Sequence, residues 1–348
     1  MHLALSRLSD FPCRATAIDL GSATVRIHVD GRGIVASEPS AVARARDTGR
    51  VLATGTSALA LAGRERGVRL VHPIRNGVPA EAEDTEGMLR ALLRSHLRGG
   101  YMAKPRMAVT VPSGINQVEL GAVRAVAYGA GARRLTVVPT PIAAAAGAGL
   151  PAEGEDVAIV ADVGAHVTDV GVVLSGELLS SNVALVGGST MDQAIIAHTR
   201  REYGLVIAPV TAEAAKLSVG SAIAVDDRQV LVHGVDVRTG LPHTAVLTSG
   251  EVHAAIAPAL AAIVRAVHAA VTDCPPEMAG HFISAGITLT GGGARLPRLD
   301  ELVQEETGLC ARVAPNAADA TVTGAAELLR PLRKYDPGWT PEARTAAL

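Results

Sequence analysis

The sequence predicts an α/β fold built twice, giving two related lobes. Three observations carry this. The chain has 348 residues, about twice the length of a typical domain. Residues 16–29 (TAIDLGSATVRIHV) and 159–173 (IVADVGAHVTDVGVV) follow one plan: an apolar strand, Asp-x-Gly, a short turn and a second strand. Between and after these segments, strands alternate with helices, as in folds with parallel or mixed sheets. Either segment alone reads as an ordinary hairpin. Asp19 and Asp162 stand nearly half a chain apart, which is the spacing of a duplicated domain.

Taken in order, Met107–Val111 reads as a buried strand. Asn116 then caps a helix, with Glu119 three residues on completing a capping box, and this helix ends near Gly131. Leu135–Val138 is the next strand, followed by a small-residue helix over Pro141–Leu150 with proline in its first turn. The second half predicts helices over Ser189–Tyr203 and Thr211–Ala222 and a β-rich stretch over Arg228–Val246. The longest helix opens at Ser249, where Val252, Ile256, Leu260, Ile263, Val267 and Val271 recur at steps of four and three. Strand Gly286–Thr290 runs into Gly291, Gly292 and Gly293, and helices continue to about Arg330. The tail from Pro331 reads as a surface segment.

Composition narrows the function classes. Hydrophobic residues make up 48% of the chain and charged residues 19%, which excludes a disordered chain. Acids and bases are interspersed with a net charge of −2, which argues against a nucleic-acid binder. No apolar run approaches the roughly 18 residues of a membrane span, and the N-terminus lacks a secretory pattern, so the chain is expected in the cytoplasm. Cys13, Cys274 and Cys310 are widely spaced and fit free thiols in a reducing compartment. All but three of the 32 basic residues are arginine, and only seven residues are aromatic. The core is therefore expected to be Ala, Val, Leu and Ile, which suits buried sheets.

Glycine turns of this kind have a definite chemistry. A hairpin tip without bulky side chains presents backbone N–H groups that cradle phosphate oxygens. An aspartate just before the tip can hold Mg²⁺, usually through water, because that ion keeps much of its hydration shell. Two such hairpins from two half-domains can clamp a nucleotide phosphate tail, with Asp19 and Asp162 flanking the metal. A strand entering Gly-Gly-Gly lets the backbone approach a flat ligand closely.

This order of hairpin, hairpin and glycine turn resembles the actin-like ATPase superfamily, with its ribonuclease-H-like duplicated fold and a nucleotide cleft between two lobes. Within it, the chain is most similar to the MreB family of bacterial actin homologues, over about residues 15–330. The strings carrying the resemblance are DLGSATVRIHVDGRGIVASEPSAVA, KPRMAVTVPSGINQVE, AAAAGAGLP, GGSTMDQAII with RREYGL, TAEAAKLSVGSA, VRTGLPHT, and ITLTGGGARL with LDELVQEETGL. The resemblance implies an N-terminal extension (1–14) and a large subdomain of the first lobe (15–42, 77–155 and 326–345) with a small one (43–76). It implies a second lobe with large (156–191 and 256–325) and small (192–255) subdomains.

It further implies ATP and Mg²⁺ as ligands. Gly21, Ser22, Ala23 and Thr24 would form the first phosphate loop. The second would run from Asp162 through Gly164, Ala165 and His166 to Thr168. Glu213 and Lys216, three apart on one helix face, would reach the ribose and adenine, although the residues alone read rather as a surface ion pair on a helix. Gly291, Gly292, Gly293 and Ala294 would form the adenosine pocket. Head-to-tail self-association, cell shape and placement of cell-wall (peptidoglycan) synthesis through wall-synthesis proteins follow from the same resemblance.

Two departures bear on hydrolysis. Family members carry Glu-Glu-Pro before the alanine-rich helix, whose acid positions the attacking water. Here the segment is Pro139-Thr140-Pro141, and the threonine cannot serve as a carboxylate base. The usual Asp-x-Gly-Gly-Gly-Thr-Thr loop reads Asp162-Val163-Gly164-Ala165-His166-Val167-Thr168, so added Cβ atoms crowd the phosphate or oppose a positive φ. The expectation is nucleotide binding with slow or absent hydrolysis. A non-polymerising nucleotide-bound scaffold is the alternative, and no motif supplies the catalytic aspartate of a sugar kinase. Tyr101 and Met102, between Arg98 and Lys104, mark a loop suited to peripheral contact with the inner face of the cell membrane.

Overall fold

The computed structural model describes residues 15–97, 105–150, 156–224 and 227–329. The chain divides into two units, Met1–Gly147 with Thr321–Leu348, and Ala148–Ala320. Sequence reading placed the corresponding lobe boundaries after residues 155 and 325, a few residues later in each case.

The first unit opens with a meander of β1 (Thr16–Leu20), β2 (Thr24–Val29) and β3 (Gly33–Pro39). Ile18, Leu20, Val25, Ile27 and Val29 are buried. A small sheet of β4 (Val42–Ala45), β5 (Val51–Thr54) and β6 (Val68–Val71) packs with helix α1 (Thr56–Ala62) around Ala41, Ala43, Ala58 and Val68. β7 (Ile74–Arg75) and β8 (Val78–Pro79) form a minimal hairpin. Its turn residues Asn76 and Gly77 have φ of 52° and 76°, the pairing that Asn-Gly favours because both central residues must be left-handed. Then follow α2 (Ala82–His96), β9 (Arg106–Val111), α3 (Gln117–Gly129), β10 (Arg134–Pro139) and α4 (Thr140–Gly147). The main sheet has the order β10-β9-β1-β2-β3, with β9 parallel to β1 and to β10. The capping box opens α3 as expected: Asn116 Oδ1 accepts from the N–H groups of Val118 and Glu119, and Glu119 accepts from the Asn116 N–H.

The second unit repeats the plan. β11 (Val157–Val163), β12 (Thr168–Leu174) and β13 (Glu177–Ala184) form the meander. Next come α5 (Gly188–Tyr203), β14 (Leu205–Val206), α6 (Pro209–Val219), β15 (Gln229–Asp236), β16 (Pro242–Thr248), α7 (Ser249–Thr272) and α8 (Ala279–Ala285). β17 (Ile287–Thr290), α9 (Leu299–Thr307) and β18 (Ala311–Val313) complete it. The sheet order is β13-β12-β11-β17-β18, with β17 parallel to β11 and β18 parallel to β17. The same connectivity as in the first unit makes the duplication structural as well as local. The last described helix, α10 (Ala320–Leu328), belongs almost entirely to the first unit, where the backbone of α4 approaches Gly324 too closely for any side chain there.

α7 spans 24 residues and is apolar enough, by length and composition, to cross a membrane, a length the sequence reading did not credit to any run. Val252, Ile256, Leu260, Ile263 and Val267 are nevertheless buried in the core of the second unit, so this stripe is that of a core helix. No aromatic residue is among the largest fully buried side chains of the described residues, which are Ile, Leu and Met.

Candidate functional site

The two Asp-x-Gly segments reach the same arrangement in the two units. Asp19 near the end of β1 lies in register with Thr110 of β9 and accepts a hydrogen bond from its hydroxyl at 3.0 Å. Asp162 near the end of β11 lies in register with Thr290 of β17 and accepts from its hydroxyl at 3.0 Å. Parallel pairing places each threonine beside its aspartate and fixes one carboxylate oxygen. Sequence reasoning found the aspartates and missed the threonines, which lie 91 and 128 positions away. The units differ on the other side: Asp19 faces Arg26 across the antiparallel pair, with 3.8 Å between their charged atoms, whereas Asp162 faces the buried Asp169.

The first turn is held from one side by Ser40. Its hydroxyl donates to the Gly21 carbonyl at 2.5 Å and its N–H to the Ala23 carbonyl at 2.9 Å. No cis peptide occurs among the described residues, so the Ser22 N–H points opposite to the engaged Gly21 carbonyl. Ser22 Oγ accepts the Gly77 N–H at 2.9 Å, which ties the turn to the β7–β8 hairpin. A Cβ at Gly21 would lie 2.5 Å from the Thr24 carbonyl oxygen, so the turn requires glycine there.

The second turn is held by the start of α5. The Gly188 and Ser189 N–H groups donate to the Gly164 and Ala165 carbonyls at 3.0 and 2.8 Å. With both carbonyls drawn to α5, the Ala165 and His166 N–H groups point away from it, and consecutive amides so directed suit an anion. Neither Ala165 nor His166 has a positive φ. The residues replacing the usual glycines are therefore accommodated without left-handed strain, contrary to the positive-φ part of the sequence expectation. His166 sits exposed at the tip.

The glycine triplet packs directly on this turn. A Cβ at Gly291 would meet the Val163 carbonyl oxygen at 2.4 Å, and one at Gly293 would meet Val163 Cγ1 at 2.7 Å. The second unit thus brings together Asp162, Gly164 to His166, Gly187, Gly188 and Gly291 to Gly293. Ala294, expected in an adenosine pocket, is fully buried in the core, so its methyl group faces protein.

Four other expected residues take definite positions. Glu213 is exposed, while Lys216 is buried and turned toward α5. Its ammonium lies 2.8 Å from Asp192 Oδ1 and donates to the Gly188 carbonyl at 2.9 Å. Burial raises the Asp192 carboxyl above its ordinary range, and the Lys216 ammonium opposes that rise. The two α6 residues therefore do not act as one ion pair on a helix face. Thr140, at the start of α4, donates its hydroxyl to the Val111 carbonyl at 3.0 Å. Thr168 is fully buried and donates to the Val186 carbonyl at 2.9 Å, so its hydroxyl is directed into the protein. Tyr101 and Met102 lie outside the described residues.

Comparison with known proteins agrees with this geometry. The profile of the MreB/Mbl protein family matches residues 13–336. The cell shape-determining protein MreB of Escherichia coli (strain K12) is 40% identical over 321 residues, covering 90% of this chain and 92% of that protein. The cell shape-determining protein Mbl of Bacillus subtilis (strain 168) is 36% identical over 319 residues, covering 91% and 96%. Among solved structures, MreB 5 of Spiroplasma citri bound to AMPPNP superposes with a TM-score of 0.86 at 28% identity, covering 97% of this chain and 99% of that one. Duplicated sheets, matched Asp–Thr pairs, family profile and close relatives all lead to one assignment: the chain belongs to the MreB/Mbl family, with its actin-like fold.

Proposed function

We propose that this chain is a cytoskeletal protein that binds ATP with Mg²⁺, self-associates head to tail into filaments, and acts in cell shape and the placement of peptidoglycan synthesis. The observation that carries the reading is the duplicated Asp–turn–Thr arrangement, in which engaged carbonyls leave turn amides directed outward. Relatives supply the context: the Spiroplasma citri structure holds AMPPNP, and the Escherichia coli and Bacillus subtilis proteins are named for determining cell shape. The setting we assign is the cytoplasm, at the inner face of the membrane, with the 98–104 segment as the contact.

Magnesium fits the donor set. Each unit offers one hard carboxylate with an oxygen ordered by a threonine, Asp19 in the first unit and Asp162 in the second. Carboxylate oxygens of this kind suit an ion that retains most of its water and meets phosphate oxygens. The bound ion would neutralise phosphate charge.

Hydrolysis is assigned as slow. Water attack needs an oriented and deprotonated nucleophile, and no carboxylate stands at position 140. The Thr140 proton is already committed to Val111. A second reading with the same slow hydrolysis is a nucleotide-locked scaffold that does not polymerise. Sedimentation with and without ATP and Mg²⁺ separates the two. Nucleotide-dependent pelleting supports the filament, and protein that binds ATP yet stays in the supernatant supports the scaffold.

A further inference from the structure

We propose that Asp192, acting through Lys216, is a positioning residue for the second phosphate turn; this rests on the nucleotide-binding reading above. Lys216 is the sole lysine among the described residues. It is 8% exposed and Asp192 is 9% exposed, so both charges sit out of water. From α6 its ammonium contacts Asp192 at 2.8 Å and the Gly188 carbonyl at 2.9 Å. Gly188 in turn donates its N–H to the Gly164 carbonyl, and Ser189 donates to that of Ala165. The connection therefore runs from Asp192 to Lys216, to the first turn of α5, to the two peptides whose N–H groups point outward.

Burying an ion pair gives little stability compared with an apolar pair of similar volume, but it fixes direction. Asp192 holds the ammonium where it draws on the Gly188 carbonyl, and little slack surrounds it. A Cβ at Gly187 would lie 2.4 Å from the Gly164 carbonyl oxygen, and one at Gly188 would lie 3.4 Å from the Lys216 ammonium. Release of the ammonium lets the start of α5 shift, and the Ala165 and His166 amides shift with it. The effect belongs to the phosphate end of a ligand. Glu213 stands exposed one turn earlier on α6 and keeps its position.

The test is a calorimetric titration of adenosine, ADP and ATP, with Mg²⁺, into the full-length protein and its Asp192→Asn variant. The expected result is a loss of about tenfold in ATP affinity, a smaller loss for ADP, unchanged adenosine affinity, and recovery in Lys216→Arg, which keeps a cation opposite Asp192. An equal loss for all three ligands marks a purely structural role and overturns the proposal, as does a folded variant with unchanged ATP affinity. If Asp192→Asn does not fold, the Asp192→Leu/Lys216→Met double variant, with an apolar pair in place of the charges, is read on ATP against ADP alone, where a larger loss for ATP is expected and an equal loss overturns the proposal. Wild-type protein that binds none of the three ligands refutes the nucleotide-binding reading itself; binding without selective loss refutes only the role of Asp192.

Discussion

Glu251 gathers several interactions at one carboxylate, and its acid response follows. It is the third residue of α7 and accepts from the Thr248 N–H and hydroxyl at 2.8 Å in the helix-capping box. Tyr203, at the end of α5, donates its hydroxyl to Glu251 at 2.6 Å. Partial burial pushes the carboxyl up, but hydrogen bonds from Tyr203 and Thr248, with His198 3.6 Å away, together outweigh it and hold the group down to about 2. A carboxyl lowered from its ordinary 4.5 stabilises the fold fully above that value, and loses the contribution as pH falls through about 2. Thermal unfolding of Glu251→Gln is therefore expected to show a lower melting temperature than wild type at neutral pH, with the gap closing near pH 2. A gap independent of pH would contradict this account. At this scale the sequence was informative only where partners are local. The capping partners Asn116 and Glu119 are three residues apart and legible. The Thr110–Asp19 and Lys216–Asp192 contacts depend on strand pairing and helix packing, which no local pattern encodes.

Among elements, the turn from β17 through the glycine triplet separates three residues that look alike in sequence. Gly291 has a φ of 82° and abuts the Val163 carbonyl oxygen; Gly292 faces open space; Gly293 abuts the Val163 side chain. Gly291→Ala combines left-handed strain with a backbone clash and is expected to cost about 3 kcal/mol or more. Gly292→Ala is expected to change stability by no more than about 0.5 kcal/mol. Chemical denaturation of the two variants checks this, and equal effects would contradict it. Of the helices, the apolar stripe of α7 holds and α5 begins one residue before its predicted start, whereas the 15-residue α2 is not among the predicted elements. The predicted helix over Pro141–Leu150 is α4, Thr140–Gly147. The small β4–β5–β6 sheet was not drawn from sequence because its strands are only four residues each, too short for periodicity to declare.

For the whole molecule, the duplication explains both what the two units share and where they have diverged. Both keep the strand order, the Asp–Thr pair and a turn braced from one side. The first unit braces its turn with Ser40, and the second uses the start of α5. At the start of α4, Thr140 donates its hydroxyl to the Val111 carbonyl, next to the Thr110 that orders Asp19. The proposed outcome is ATP binding with slow turnover, because groups that orient or deprotonate the attacking water contribute about 10²–10⁴-fold. The most direct test measures ATP affinity and phosphate release in one sample with Mg²⁺, for wild type and for Thr140→Glu. The account predicts saturable ATP binding by both proteins, slow phosphate release by wild type, and release at least about tenfold faster for Thr140→Glu. Wild-type release as fast as that of the glutamate variant, or wild-type protein that binds no ATP, would contradict it.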